Sequence, residues 1–537
     1  MKLTNLVFVF LLAACAEATN AAGQVNDDFV FPATGITVTD EAILLAIDDV
    51  SLPWKNNLCY YLSKPKVRKE PVLTASRDPN APDHTGPSFY GTVLFDNQKF
   101  RMWYYAIHPM PNPQPGQTVL PGEGDNIVQG PICYAESNDG ISWTKPNLGQ
   151  VLLNGSRNNN AIALPETIAY EGVTIIKDEK DPDPNRRYKM AYNEWSIKKG
   201  VAFTIRTATS SDGIHWIAGA ELPLRTFIEH ASFYQFNGFY FINGQTYDRS
   251  EGGDRGGRQA YVRISANFDQ WLAESAQSFL LPEPSEGRGT RGKYRQVHLG
   301  VGAAAFGNVL VGLYGMWDQR GWGIGGTTCD LGLVVSNDGI HFREPVAGHV
   351  YISRNDSNLP PHATKDFPTI LAQGNGILNV GDETRIYHGR WRNVPVNASL
   401  DEHCLEVALA TLPRDRWGAV GLIPPLKGHQ STPDGASEGS IWSMPIQMPA
   451  GGCKIFLNAQ NADCMTAEVS DERFNLLEGF SGAKCGMVKV KEGLDCPMIW
   501  PDKNMSGLAG KTVRLRINLK KKEKDSEPRL FAIYLRS

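Results

Sequence analysis

Apolar and polar positions along the chain fall into short strand-length runs that end in turn formers, and the same arrangement returns five times. Ile132–Trp143 reads as an apolar run, an Asn-Asp-Gly turn and a tryptophan, and Ile205–Trp216 repeats it with Ser-Asp-Gly. Tyr261–Trp271, Leu331–Phe342 and Leu405–Trp417 are further copies, with closing aromatics 73, 55, 71 and 75 residues apart. Asp-Gly between two strand-like runs predicts a tight turn, because glycine accepts positive φ and the aspartate side chain caps the turn. A second β-branched or aromatic run precedes each copy: Phe100–Tyr105, Tyr188–Tyr192, Phe239–Ile242, Val309–Tyr314 and Thr384–Tyr387. A first run lies ahead of each of these, near residues 88–95, 168–176, 230–236, 295–306 and 367–373.

The repeating unit is thus a four-stranded antiparallel sheet, and five of them predict an all-β chain with a five-bladed β-propeller over residues 60–425. Lys69–Leu73 resembles a fourth strand, and donating it to the last unit would hide an exposed sheet edge. After Trp417 the repeat stops. Gly439–Pro445, Cys453–Leu457, Thr512–Ile517 and Leu530–Tyr534 are separate strand-like runs, which predict a small β-sandwich over residues 430–537.

Composition changes this picture little. The 537 residues are 42% hydrophobic and 20% charged, with a formal net charge of −4, so no global basic footprint points to nucleic acid. Lys2 followed by the apolar run Leu6–Ala14 predicts an export signal within residues 1–20, with a lead-in over 21–59. Leu12–Cys15 matches a lipobox, which would make Cys15 a lipid-anchored N-terminus; Ala14–Ala16 alternatively suits cleavage and soluble secretion. The expected localisation is therefore secreted, extracellular or periplasmic, or lipid-anchored at the cell surface. Eight further cysteines remain, and Cys453, Cys464, Cys485 and Cys496 are close enough in an exported chain to predict at least one disulfide. Their spacing matches no zinc pattern, and no metal or cofactor is expected.

The five repeats with their Ser-x-Asp-Gly-x-x-Trp turns resemble the five-bladed propeller glycosidases, the invertase-like and arabinanase-like enzymes of glycoside hydrolase families 32 and 43. The resemblance covers the propeller and the trailing sandwich. It implies three carboxylates at one mouth of the propeller: a nucleophile or base in the first blade, a transition-state stabiliser in the second and a general acid in the third. The turns themselves read as scaffold, since the same turn is structural in sialidase-type propellers.

Innermost strands of a propeller begin around one mouth, where a ligand meets several blades. The starts in this chain offer Asp83, His84 and Ser88; Glu166; Glu229 and His230; Arg291, Lys293, Tyr294, Arg295 and His298; and His362, Lys365 and Asp366. Glu229, ten residues before Phe239, matches the family's acid; Asp83 or Glu166 is the second carboxylate. The family's Asn-Asp-Pro-Asn is absent from the first blade, where Ser88-Phe89 occupies the register, and Arg-Asp-Pro is absent from the second. Phe227, Ile228 and Phe233 would surround Glu229 with apolar groups and raise its pKa, which suits an acid. His84, His230, Tyr294, Arg295, His298, Lys365 and Asp366 are expected to bind substrate. The concentration of Arg, Lys and His suits an anionic glycan carrying uronate or sulfate. Three functions follow: a glycoside hydrolase, a polysaccharide lyase that removes the C5 proton of a uronate with Tyr294 or a histidine, or a non-catalytic glycan-binding propeller.

Overall fold

The computed structural model describes residues 36–37, 41–109, 127–164, 169–196, 202–223, 228–247, 258–281, 294–319, 327–365, 367–394, 399–425, 434–503, 505–523 and 526–537, with side chains undescribed at a few of the strand ends. The fold is all-β: among the described residues there is no α-helix, and the helical pieces are 3-10 turns of three or four residues.

Five antiparallel meanders follow one another. The first comprises Gly86–Asp96, Lys99–Pro109 and Ile127–Ser137. The second is Ala169–Lys177, Tyr188–Ser196, Ala202–Ser210 and Ile217–Glu221. The third is Glu229–Phe236, Phe239–Tyr247, Arg258–Ser265 and Ala276–Phe279. The fourth is Tyr294–Phe306, Val309–Gln319, Thr327–Ser336 and Val350–Ile352. In the fifth, a broken first strand (Thr369–Ala372, then Ile377–Val380) precedes Glu383–Arg392 and Leu405–Pro413. Its outer position is filled from the N-terminal side, where Lys66 and Val67 pair with Thr411 and Ala410 and Leu73 bridges to Val407.

Consecutive first strands touch one another, and those of the fifth meander touch the first, so the arrangement is cyclic and propeller-like. Apolar side chains fill each gap between meanders, as with Trp103, Tyr134, Val173, Met190 and Tyr192 between the first and second. The Asp-Gly turns lock the same gaps. Ser137 Oγ accepts from Gly140 N, and backbone N–H groups of Ser142 and Ile141 hold the Asp139 carboxyl down at about 2. With the turn fixed, each glycine carbonyl accepts from the preceding meander: Tyr387 Oη donates to Gly140 O, Trp103 Nε1 to Gly213 O and Tyr234 Oη to Gly339 O, each at 2.8 Å.

On the axis the backbones come too close for side chains. A Cβ on Gly374 would lie 2.6 Å from the carbonyl oxygen of Gly91, and Gly300 adopts φ +84° against Gly244. The first strands bulge here, between Ser88 and Thr92, His230 and Ser232, and His298 and Val301. Bulging leaves ladder groups unpaired, and side-chain amides take them up. Asn375 Nδ2 donates to Phe233 O at 2.6 Å, Gln373 Nε2 to Gly300 O at 2.8 Å, and Asn243 Oδ1 accepts from Val301 N at 2.9 Å.

The C-terminal unit differs from the expected small sandwich. Its strands belong to one hydrogen-bonded sheet of 13 that bends over its own core. Glu492–Ile499 welds the layers, because it pairs with Lys454–Gln460 through Leu457–Cys496 and with Gly486–Val488 through Met487–Ile499. Five strands come from outside residues 430–537: Ile36–Thr37, Glu41–Leu45, Trp54–Asn56, Leu58–Leu62 and Gly418–Leu422. The expected disulfide is also absent, since all eight described cysteines are free. Cys453 and Cys496 serve as small apolar members of this core, and Cys453 Sγ lies 3.5 Å from Met448 Sδ rather than opposite a second thiol. Burial pushes the Cys453 thiol up to about 11.

Candidate functional site

The strand pairing puts the starts of the first strands, the ends of the second and the starts of the third at one end of the ring: Glu229 faces Gln245, and Tyr247 faces Arg258. The bulges turn adjacent side chains of the first strands toward the axis here. Tyr90, one residue before Gly91, stacks on Tyr105 with ring centroids 6.2 Å apart and planes 19° apart. Tyr105 is fully buried and its phenol is held well above the ordinary range. Burial is the main cause, and the charges of Glu171, from the second meander, and Glu229, from the third, act in the same direction. The charges of two carboxylates from adjacent first strands thus both act on one phenol.

Glu229 is half-buried and accepts from Gln245 Nε2, while Gln245 Oε1 accepts from Leu299 N at 2.6 Å. The acid is therefore oriented by a glutamine that also ties the third meander to the fourth. His298, the residue before Leu299, stacks on Trp317, with centroids 4.3 Å apart and planes 28° apart. Arg258 lies over the same indole at 4.9 Å and places NH1 3.4 Å from His298 Nδ1. A guanidinium only donates, so Nδ1 accepts, and Nε2 carries the hydrogen toward the Tyr90 hydroxyl oxygen 3.1 Å away. Burial first, and Arg258 second, hold His298 well below the usual imidazole range, so it is neutral. Arg258 makes no ion pair among the described residues, and the buried Trp317 Nε1 has no hydrogen-bond partner.

The residues singled out from sequence separate into three groups. Glu229 and His298 are at this mouth, and Ser88 is buried beside Tyr105. Asp83, His84, His230 and Lys365 are engaged with other partners. Asp83 is fully buried, accepts from Ser76 Oγ at 2.6 Å and Tyr104 Oη at 2.9 Å, and pairs with Lys145 at 2.5 Å. His84 lies beside it, with Nδ1 3.3 Å from Ser76 O. His230 is packed in the wall, with Asn193 Oδ1, Thr174 Oγ1 and Ala191 O at 2.5, 3.0 and 3.1 Å from its ring nitrogens. Lys365 is exposed and pairs with Glu402 at 2.8 Å. For Tyr294 and Arg295 only the backbone is described, opposite Gln319 and Asp318; Glu166, Arg291, Lys293 and Asp366 lie outside the described residues.

Sequence reading missed Glu171, Tyr90, Tyr105, Arg258 and Trp317. A usable signal existed for two of them. Tyr90-Gly91 and Glu171-Gly172 put glycine directly after a large or charged side chain in a first strand, which marks a bulge. A cleft of about 610 Å³ on the C-terminal unit, lined by Phe456, Met498, Trp500 and Arg536 among others, contains no side-chain carboxylate.

No known family's sequence profile matches the chain. It is 28% identical over 173 residues to the uncharacterized protein Rv1502 of Mycobacterium tuberculosis, across 31% of this chain and 46% of that protein. The uncharacterized protein MT1551, from a second strain, matches over the same shares at the same identity. The chain spans about half the length of these curated relatives. Among solved structures it is similar to a glycosyl hydrolase from Bacteroides ovatus, with 13% identity, 66% of this chain and 95% of that one covered, and a TM-score of 0.40. A β-1,2-mannobiose phosphorylase from Listeria innocua gives 12%, 65%, 97% and 0.41. A family 43 arabinoxylan arabinofuranohydrolase from Bacillus subtilis gives 9%, 86%, 98% and 0.37.

Proposed function

We propose that this chain is an exported glycan-degrading enzyme, a glycoside hydrolase whose five meanders are the blades of a five-bladed propeller over residues 60–425. The observation that carries the chemistry is the placement of Glu229, held by Gln245, and Glu171 on the adjacent first strands of the third and second meanders, where the charges of both act on Tyr105. Glycoside hydrolysis needs one carboxylic acid to protonate the leaving oxygen and one carboxylate to attack the anomeric carbon or activate water. Glu229, oriented by Gln245, is the acid, and Glu171 takes the place that Asp83 cannot fill from its buried ion pair. Arg258, a cation without an ion pair among the described residues, favours a glycan carrying carboxylate or sulfate. Residues 1–20 would direct export, with or without a lipid at Cys15, and the unit ending the chain braces the propeller.

The test is turnover of Glu229→Gln and Glu171→Gln on a panel of neutral, uronate and sulfated oligosaccharides. Loss of a general acid removes ~10²–10⁴-fold in rate, and the Glu229→Gln loss should shrink on aryl glycosides, whose leaving groups need little protonation. Near-normal turnover by both variants would falsify the assignment.

The Tyr90–His298–Arg258 arrangement favours a second reading, elimination from a uronate. There Arg258 would neutralise the carboxylate, Tyr90 as a phenolate held by His298 Nε2–H would take the C5 proton and pass it to the C4 oxygen, and the electron pair left at C5 would form the C4–C5 double bond as that oxygen leaves. Ultraviolet absorbance of an unsaturated product separates the two readings.

A further inference from the structure

On the solvent face of the C-terminal sheet, far along the chain from the mouth residues, a row of side chains crosses four strands: Trp54 opposite Trp442, Trp442 opposite Arg516, and Arg516 opposite Glu468. Phe474 reaches this row from the loop after Met465–Ser470. Its ring meets Trp54 edge to face at 5.2 Å and Trp442 at 5.3 Å, both at 86°. The loop holds Phe474 at φ +67°, an uncommon conformation for a bulky side chain, and Asp471 Oδ1 fixes it by accepting from Arg473 N and Asn475 N at 2.9 Å.

Trp54 and Phe474 are 45% and 43% exposed, so the sequence places two large rings in water at one spot. Arg514 lies between them, 4.7 Å from the Trp54 ring and 4.4 Å from that of Phe474. Its hydrogen bonds go to the carbonyls of Glu472 and Ser443, and among the described residues it makes no ion pair. Partial burial lowers its pKa, and the Glu472 carboxylate only partly opposes this. The corner therefore presents rigid aromatic faces and a guanidinium that makes no ion pair among the described residues.

We infer that Trp54, Trp442, Phe474 and Arg514 form a second, non-catalytic binding site for a sugar unit bearing carboxylate or sulfate. A pyranose packs its C–H face on an aromatic ring while the guanidinium takes the anion through two parallel N–H groups. The area argues against a protein partner. A fully buried aromatic covers ~150–250 Å², so three partly exposed rings offer roughly 300 Å², well below the ~800 Å² per partner of a standard interface. The site does not depend on the catalytic reading, since none of its residues is at the mouth.

The test uses the full-length protein with polygalacturonate, dextran sulfate and neutral dextran as probes, in affinity electrophoresis and by tryptophan fluorescence. Polygalacturonate and dextran sulfate separate the carboxylate from the sulfate. One of them should retard the protein while dextran does not, and Trp54→Ala and Arg514→Ala should each weaken that retardation at least ~10-fold, the size of one well-made contact. Trp54 is on a short edge strand and nearly half exposed, so this variant should fold, and its turnover on short oligosaccharides should stay within twofold. Unchanged retardation in Trp54→Ala overturns the site. Equal retardation by dextran overturns its charge selectivity. Concentration-dependent self-association that Trp54→Ala abolishes would instead make the corner a contact between copies of the chain.

Discussion

Two imidazoles illustrate how burial separates structural from chemical residues. His230 and His388 are both fully enclosed, and burial pushes each down to about 4. Ser357 Oγ meets His388 Nε2 at 2.7 Å, and His230 is bounded by Asn193, Thr174 and Ala191. Both are neutral in the fold, whereas in the unfolded chain each titrates near 6.5. Above that value neither state binds a proton, and stability is unaffected. As pH falls from 6.5 toward 4 the unfolded chain gains protons that the fold does not, so stability drops, by up to about 3 kcal/mol for each histidine. Urea titrations between pH 7 and pH 4 should show this decline. His230→Gln or His388→Gln should flatten it, and an unchanged slope in both variants would show that the imidazoles bind protons within the fold. His298 is also neutral, yet its Nε2 meets a tyrosine at the mouth rather than a wall carbonyl.

At the scale of strands, the axis is the place where sequence and structure constrain each other most tightly. Gly374 sits 2.6 Å (measured from its virtual Cβ) from the Gly91 carbonyl, which is backbone and cannot yield. Gly374→Ala should therefore cost several times the ~1 kcal/mol typical of point substitutions. Gly451, whose Cβ would meet nothing within 4 Å, is the control and should be near silent. Thermal unfolding of the two variants measures the contrast; equal midpoints would mean the first strands can part without cost. The same geometry explains what was legible in the sequence. The Asp-Gly turns and the second-strand runs were readable because each is local: Ser137, Asp139 and Gly140 satisfy one another within four residues. The capture of Lys66–Val67 by the fifth meander was suggested by a nearby run, since an open edge needs a partner. The mouth was only half legible. Glu229 starts a strand, and that start is visible in the pattern. Glu171, Arg258 and Trp317 reach the mouth through a bulge, a third strand and a second strand, and no short-range spacing encodes which strands meet there. Asp83 has a sequence position that suits the mouth, but the pattern does not show that Lys145 and Tyr104 would engage its buried carboxylate.

For the whole molecule, the two ends of the chain decide how the parts cohere. Glu41–Leu45 pairs along its full length with Arg529–Arg536, and Leu58–Leu62 pairs with Gly418–Leu422, which itself pairs with Arg529 and Leu530. One apolar cluster gathers Ile43, Leu45 and Ile47 from the lead-in, Val309, Val311 and Leu333 from the fourth meander, Ile386 and Leu412 from the fifth, and Ala532 and Tyr534 from the last strand. Tyr534 also donates to the buried Asp415 carboxylate at 2.8 Å, directly after the fifth meander. The unit at the chain end is thus built partly from N-terminal strands and shares a core with the ring. Cutting the chain after residue 425 would remove Arg529–Arg536, leave Glu41–Leu45 and Gly418–Leu422 with open hydrogen-bonding edges, and expose the buried face of Ile43, Leu45 and Trp417. Open apolar edges of that kind associate. Calorimetry of the full chain should give a single transition, with calorimetric and van't Hoff enthalpies in agreement, and the truncated chain should aggregate rather than yield a soluble ring. Two separate transitions, or a soluble truncated chain with native-like circular dichroism, would mean that the shared core holds less of the fold together than its packing implies.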